Sequence, residues 1–187
     1  MKVSPLSVRL ISAALLGFFL IAPSATSAGA SKNAVDPTFT VSMTAYNAVA
    51  DQTDGTPFVT ASGAYSDPNI VAARSPDLAS ELPFGTVIEI LAATSSPSCG
   101  YAAVGQQIGL RVIADSMNAK MHDKIDILLP QKETTASGKT ENPALVLGVC
   151  KDVTIKVVGH IDVADIPQTQ TKLASALDPS QELAVAK

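Results

Sequence analysis

The stretch Leu110–Pro130, LRVIADSMNAKMHDKIDILLP, decides how this chain is read. Its two apolar runs, Leu110–Ala114 and Ile125–Leu129, have the length and the Val, Ile and Leu content of short strands. Asp115 ends the first run, Asp126 interrupts the second, and the residues between them are mostly polar. A carboxylate inside an apolar strand is costly to desolvate unless it is paired or hydrogen-bonded. Two acids framed in this way form either a structural polar network or a tuned acid/base site, and residue types alone leave both open. Strand alternation sends Ile125 and Ile127 to one face and Asp126 to the other. If the isoleucines pack inward, Asp126 faces a cleft or a polar network.

Outward from this stretch stand two cysteines, Cys99 and Cys150, the only ones in the chain. An even count in a secreted chain favours a disulfide, here one whose loop encloses both acids. Metal binding is not expected, because the two histidines, His122 and His160, share no ligand-like spacing. No cofactor motif is present.

Further strands are expected at Phe39–Ala48, Phe58–Ala61, Val87–Ala92 and Val153–Val158, with a short one at Tyr101–Val104, and Asn69–Ala73 is another short apolar run. Ser75–Leu82 has helix-start chemistry in Ser75, Pro76 and Asp77, and only one or two turns fit before Pro83. Ala144–Val149 is apolar and ambiguous between helix and strand. Gln131–Glu141 reads as a surface loop. The sum is a mainly β chain with short helical turns, the pattern of a small barrel or sandwich.

The ends differ in character. Lys2 and Arg9 precede a thirteen-residue run, Leu10–Ala22, which Pro23 and small residues follow. That is the form of a signal peptide over residues 1–30, with Ala28-Gly29-Ala30 as a cleavage match and an uncleaved anchor as the alternative. Secretion to the exterior or the cell envelope follows, without stable membrane insertion after cleavage. Residues 31–38 read as a linker and 39–161 as one domain. After Ile161 the composition turns polar, so 162–187 is expected to be a weakly structured tail outside the barrel, with one helix at Gln170–Leu177.

The chain carries 13 bases against 17 acids. Two of those bases lie in the signal, so the remainder is more acidic than the whole-chain net charge of −4. This argues against nucleic acid, which calls for a basic stripe, and against electrostatic adhesion to an anionic membrane.

The order of several short motifs resembles the bacterial 3D (Asp-Asp-Asp) domain. Thr44-Ala45-Tyr46 stands where that family has its opening T-A-Y strand, and Thr60-Ala61-Ser62-Gly63 follows as its T-A-S-G segment. Ala72-Ala73-Arg74 and Leu82-Pro83-Phe84-Gly85-Thr86 match the next segment, with Arg74 in place of the family's first Asp. Ile113-Ala114-Asp115 and Ile125-Asp126-Ile127 keep the family's eleven-residue spacing between its acids. Ser116-Met117-Asn118 replaces the T-G-G after the second acid, and Gly148–Val157 matches the closing strand.

The resemblance covers Phe39 to Gly159. It implies a six-stranded double-psi β-barrel, similar to the catalytic barrel of the MltA-type lytic transglycosylases. It also implies a monomeric secreted protein that cleaves the glycan strand of peptidoglycan, with Asp126 as acid/base and Asp115 as its partner. Thr44, Tyr46, Thr60 and His122 are the candidate substrate contacts; strand packing for the first three and a solvated loop position for His122 are the plainer readings. The altered T-G-G favours an alternative, a non-catalytic barrel that binds peptidoglycan or another wall polysaccharide. A barrel acting on a different polysaccharide, as expansin-like proteins do, is a third reading.

Overall fold

The computed structural model describes residues 36–53, 55–93 and 96–178. The expected signal segment and most of the linker lie outside these residues. Among the described residues eight strands form: β1 (Thr38–Tyr46), β2 (Val71–Arg74), β3 (Thr86–Ala92), β4 (Arg111–Ser116), β5 (Lys124–Leu128), β6 (Glu133–Thr134), β7 (Thr140–Glu141) and β8 (Cys150–His160). Six of them close a mixed barrel in the order β1-β5-β2-β4-β3-β8, and β6 and β7 make a small separate hairpin. The β1/β5 and β2/β4 pairs are parallel and the other pairs antiparallel. Parallel neighbours require crossover connections, and the six-stranded barrel expected from the sequence is the result.

Alternation fills the barrel. Val41 and Met43 of β1, Ala72 of β2, Ile88 of β3, Ile113 of β4, Ile125 and Ile127 of β5, and Val153 and Ile155 of β8 form one buried cluster. Helices α1 (Tyr101–Ile108) and α2 (Pro143–Leu147) add Val104, Ile108 and Leu147 to it. The expected strand at Tyr101–Val104 is therefore a helix. Tyr101, Val104 and Ile108 recur at helical spacing, and Val104 and Ile108 are fully buried on one stripe. The ambiguous Ala144–Val149 run is also helical: Asn142 caps the Ala144 amide and Pro143 opens the first turn. Ser75–Leu82 forms a single 3-10 turn, Pro76–Ala79, in which Ser75 does not cap; its hydroxyl accepts instead from the Lys124 amide. The expected strand at Phe58–Ala61 lies outside the barrel. It is one arm of a tight hairpin closed by the Val59/Tyr65 bridge and the Thr60-to-Ala64 hydrogen bond.

Gly85 shows why the Pro83–Thr86 turn needs glycine. Its φ is +93°, and a Cβ there would collide with the Ile161 carbonyl.

Cys99 and Cys150 are bonded, which ties the loop before α1 to the start of β8 across a separation of 51 residues. In the chain-entropy account a closed loop of that length contributes about 3–4 kcal/mol. Replacing both cysteines with serine is expected to remove most of it, read as a fall in the urea midpoint with the slope unchanged.

The C-terminal segment differs from the expectation. Helix α3 (Gln170–Ala176) is capped by the Thr169 side chain, and its Leu173 is fully buried against Ile70, Val87, Val112 and Ile161. Gln170 bridges two chain segments: Nε2 donates to the carbonyls of Asn69 (2.6 Å) and Leu110 (2.8 Å), and Oε1 accepts from the Leu110 amide (3.0 Å). Polar composition hid this docking, which Leu173 and Gln170 make together with the partly buried Ile166 and Leu177. Leu173→Ala is expected to cost about 2–4 kcal/mol, measured by denaturant unfolding. Truncation before Gln170 should cost at least as much.

Candidate active site

The outer face of the barrel wall between β1 and β4 carries the two acids. Thr44 of β1 stands beside Asp126 of β5, and Asp126 stands beside Ala73 of β2. On the other side of β2 the register slips between Ala72 and Ala73, so that Asp115 rather than Ala114 stands beside Ala73. This bulge matters. Ile113 points into the barrel, and strict alternation would send Asp115 inward as well. The extra residue re-aims it to the outer face. Thr44, Asp126, Ala73 and Asp115 thus form one row across four strands, with the small Ala73 leaving room between the two carboxylates.

The opposite wall is the segment that follows β1. Asn47 pins its start by donating to the Leu129 (2.8 Å) and Pro130 (3.2 Å) carbonyls. The 58–66 hairpin closes it, held to β4 at its tip by the Ser62 amide on the Ala114 carbonyl (3.1 Å). Between the walls lies an open cleft of about 570 Å³ lined by Asp115, Asp126, Tyr46, Gln52, Thr56 and Thr60, with Met117, Asn118 and Met121 at one side. That volume is in the range of small-ligand clefts.

Asp115 accepts three hydrogen bonds: from the Tyr46 hydroxyl (2.9 Å), the Ala61 amide (2.9 Å) and its neighbour's Ser116 amide (2.9 Å). It therefore joins β1, β4 and the hairpin at one point. Asp126 accepts a hydrogen bond from Thr44 Oγ1 (2.8 Å). Burial pushes its pKa up to about 6; the Thr44 hydrogen bond works against this, and the charge of Asp115 adds to it. Tyr46 is raised well above its ordinary value, first by burial and then by Asp115, so it stays a hydrogen-bond donor.

The candidate substrate contacts fall in different places. Tyr46 lines the cleft, but its ring is buried and its hydroxyl is engaged by Asp115, so it positions Asp115 and offers no free stacking face. Thr44 holds Asp126. Thr60 lines the cleft, while its hydroxyl serves the hairpin turn through the Ala64 carbonyl and Ser62. His122 is not among the cleft residues. Its side chain is 69% exposed and lies 3.9 Å from Asp77.

Arg74, which stands where the resembled family has its first acid, points away from the cleft. It donates to the Leu82 carbonyl (3.0 Å) and lies over the Phe84 ring at 5.0 Å, which supports the loop beneath. Burial lowers its pKa. The wall residues Gln52, Thr56, Ala61 and Met121 carried no sequence signal of their own. A backbone amide such as that of Ala61 gives none, although the Thr60–Gly63 motif marked the right segment.

Neither models of known protein families nor curated proteins match this sequence.

Proposed function

We propose that this is a secreted or cell-envelope protein of the 3D-domain type that cleaves peptidoglycan strands as a lytic transglycosylase. The observation that carries the reading is Asp126, a mostly buried carboxyl with a pKa near 6, standing in the same strand row as Asp115 and facing an open cleft. A general acid near neutral pH needs a raised carboxyl of this kind.

In the proposed step the Asp126 carboxylic acid gives its proton to the glycosidic oxygen. The bond from the anomeric carbon to that oxygen breaks, and the leaving sugar departs with its new hydroxyl. The positive charge developing at the anomeric carbon faces Asp115, which three donors hold in place. The 6-hydroxyl oxygen of the same muramic sugar then closes on the anomeric carbon, and its proton returns to Asp126. Atoms and protons balance without water, and one carboxyl serves as acid and then as base.

The test is incubation of the mature protein with purified peptidoglycan, followed by mass spectrometry. Anhydro-muropeptides are the expected products. Reducing-end muropeptides would mean hydrolysis instead of transglycosylation, and unchanged polymer would reject the enzymatic reading.

A second reading has its own observation. Met117, where the resembled family has a glycine, packs half-buried against the cluster that includes Tyr46, and together with Met121 it gives one side of the cleft apolar surface. A barrel that binds the glycan without cutting it would retain polymer in a pull-down and release no anhydro products.

A further inference from the structure

We propose that Phe58 and Tyr65 form a second sugar subsite, which holds an outlying unit of the same glycan strand that enters the Asp126 cleft. The inference rests on the glycan reading above and adds where the strand runs. Among the described residues Phe58 and Tyr65, each 59% exposed, are the two exposed aromatic side chains; Phe39, Phe84 and Tyr101 are partly buried and Tyr46 is buried. Both line one hollow of about 190 Å³ on the flank of the 58–66 hairpin.

Ser66 borders this hollow and the main cleft alike, so the two are neighbours across the hairpin. Among the described residues no charged one lines the hollow, and its other hydrogen-bonding side chains are Ser66 and Gln131. Flat aromatic surface with neutral hydroxyl and amide groups suits the apolar face and hydroxyls of a pyranose ring. The missing cation disfavours phosphate or nucleic acid.

Position favours the same occupant. The hairpin is tied to the acids through the Ala61 amide on Asp115. A strand crossing the cleft past this hairpin reaches the aromatic ledge with its next units. Covering exposed aromatic rings is favourable, so a sugar unit seated on the two beside the cleft gains from their burial.

The experiment measures binding by calorimetry, using soluble GlcNAc–MurNAc fragments of two, four and six sugars and mature protein carrying Asp126→Asn to prevent turnover. Affinity is expected to rise with length, and Phe58→Ala/Tyr65→Ala is expected to cut the gain from two to six sugars roughly tenfold. Phe58→Tyr should restore that gain alongside native Tyr65, because it keeps the ring. Unchanged melting temperature shows that the fold is intact.

A length dependence untouched by the double substitution would overturn the subsite while leaving the glycan reading in place. Failure of Asp126→Asn protein to bind fragments of any length would overturn both. Sedimentation showing that the native chain dimerises and the double variant does not would assign the ledge to self-association instead.

Discussion

Asp126→Asn is expected to abolish glycan cleavage and, at neutral pH, to make the protein more stable. The loss of rate should be about 10²–10⁴-fold or more, since general acid–base catalysis supplies that much. Asparagine keeps the shape and still accepts the Thr44 hydroxyl, so glycan binding should survive.

The gain in stability follows from the raised pKa. Asp126 titrates near 6 in the folded protein, against about 3.9 in an unfolded chain. The folded state therefore holds the proton more tightly. Its contribution is fully present below about pH 4 and is lost as pH rises through about 6. A shift of this size corresponds to about 3 kcal/mol, so native protein should lose up to that much between pH 4 and 7 relative to the asparagine variant.

The same titration governs rate: cleavage by the native protein should decline above about pH 6 as the general acid ionises. Urea unfolding of both proteins from pH 3.5 to 8, beside the pH profile of cleavage, checks all three expectations. Undiminished cleavage by the variant would remove Asp126 from the mechanism. Parallel stability curves would mean that its carboxyl is not buried as described.

Arg111→Met is expected to be the most destabilising single substitution considered, at on the order of 5 kcal/mol. Arg111 has no exposed surface. Its guanidinium donates to four backbone carbonyls: Ile108 (2.6 Å), Pro68 (2.7 Å), Leu128 (3.0 Å) and Gln107 (3.3 Å). Two of these belong to the last turn of α1, where carbonyls have no helical partner. Burial lowers its pKa to about 9, so it stays charged at neutral pH.

Methionine fills similar volume but leaves those carbonyls unsatisfied, at about 1–3 kcal/mol each in buried positions. Domains of this size are stable by only about 5–15 kcal/mol. The variant should be partly unfolded near 37 °C by circular dichroism. Arg111→Lys should fall between, because an ammonium keeps the charge and lacks the planar fork that reaches several acceptors.

The chain's local chemistry was enough to read five of the six barrel strands and to mark β2 as an apolar run. Isoleucine and valine at alternate positions around Ile113, Ile125, Ile127, Val153 and Ile155 leave one face to bury, and Gly85 after Pro83 marks a turn. The same alternation put Asp126 on the face opposite its isoleucines, which is where it stands. The disulfide was legible from an even cysteine count.

Other features required the assembled structure. Arg111 looks like any charged residue at the start of a strand; its four acceptors come from segments as far back as Pro68, and only folding gathers them. Leu173 is one leucine in a polar segment, and its burial depends on a surface built by Ile70, Val87 and Val112. Phe58 and Val59 read as strand because of their side chains, but the hairpin that holds them pairs with itself.

The sharpest case is Asp115. By the alternation that correctly placed Asp126, Asp115 belongs inside the barrel with Ile113. A one-residue slip against β2 turns it out beside Ala73, where the Tyr46 hydroxyl and the Ala61 amide meet its carboxylate. Sequence determined that two acids lie eleven residues apart on strands consecutive in the chain. That they share one face was decided by tertiary structure, because register between strands depends on how the whole sheet closes and not on the residues of either strand alone.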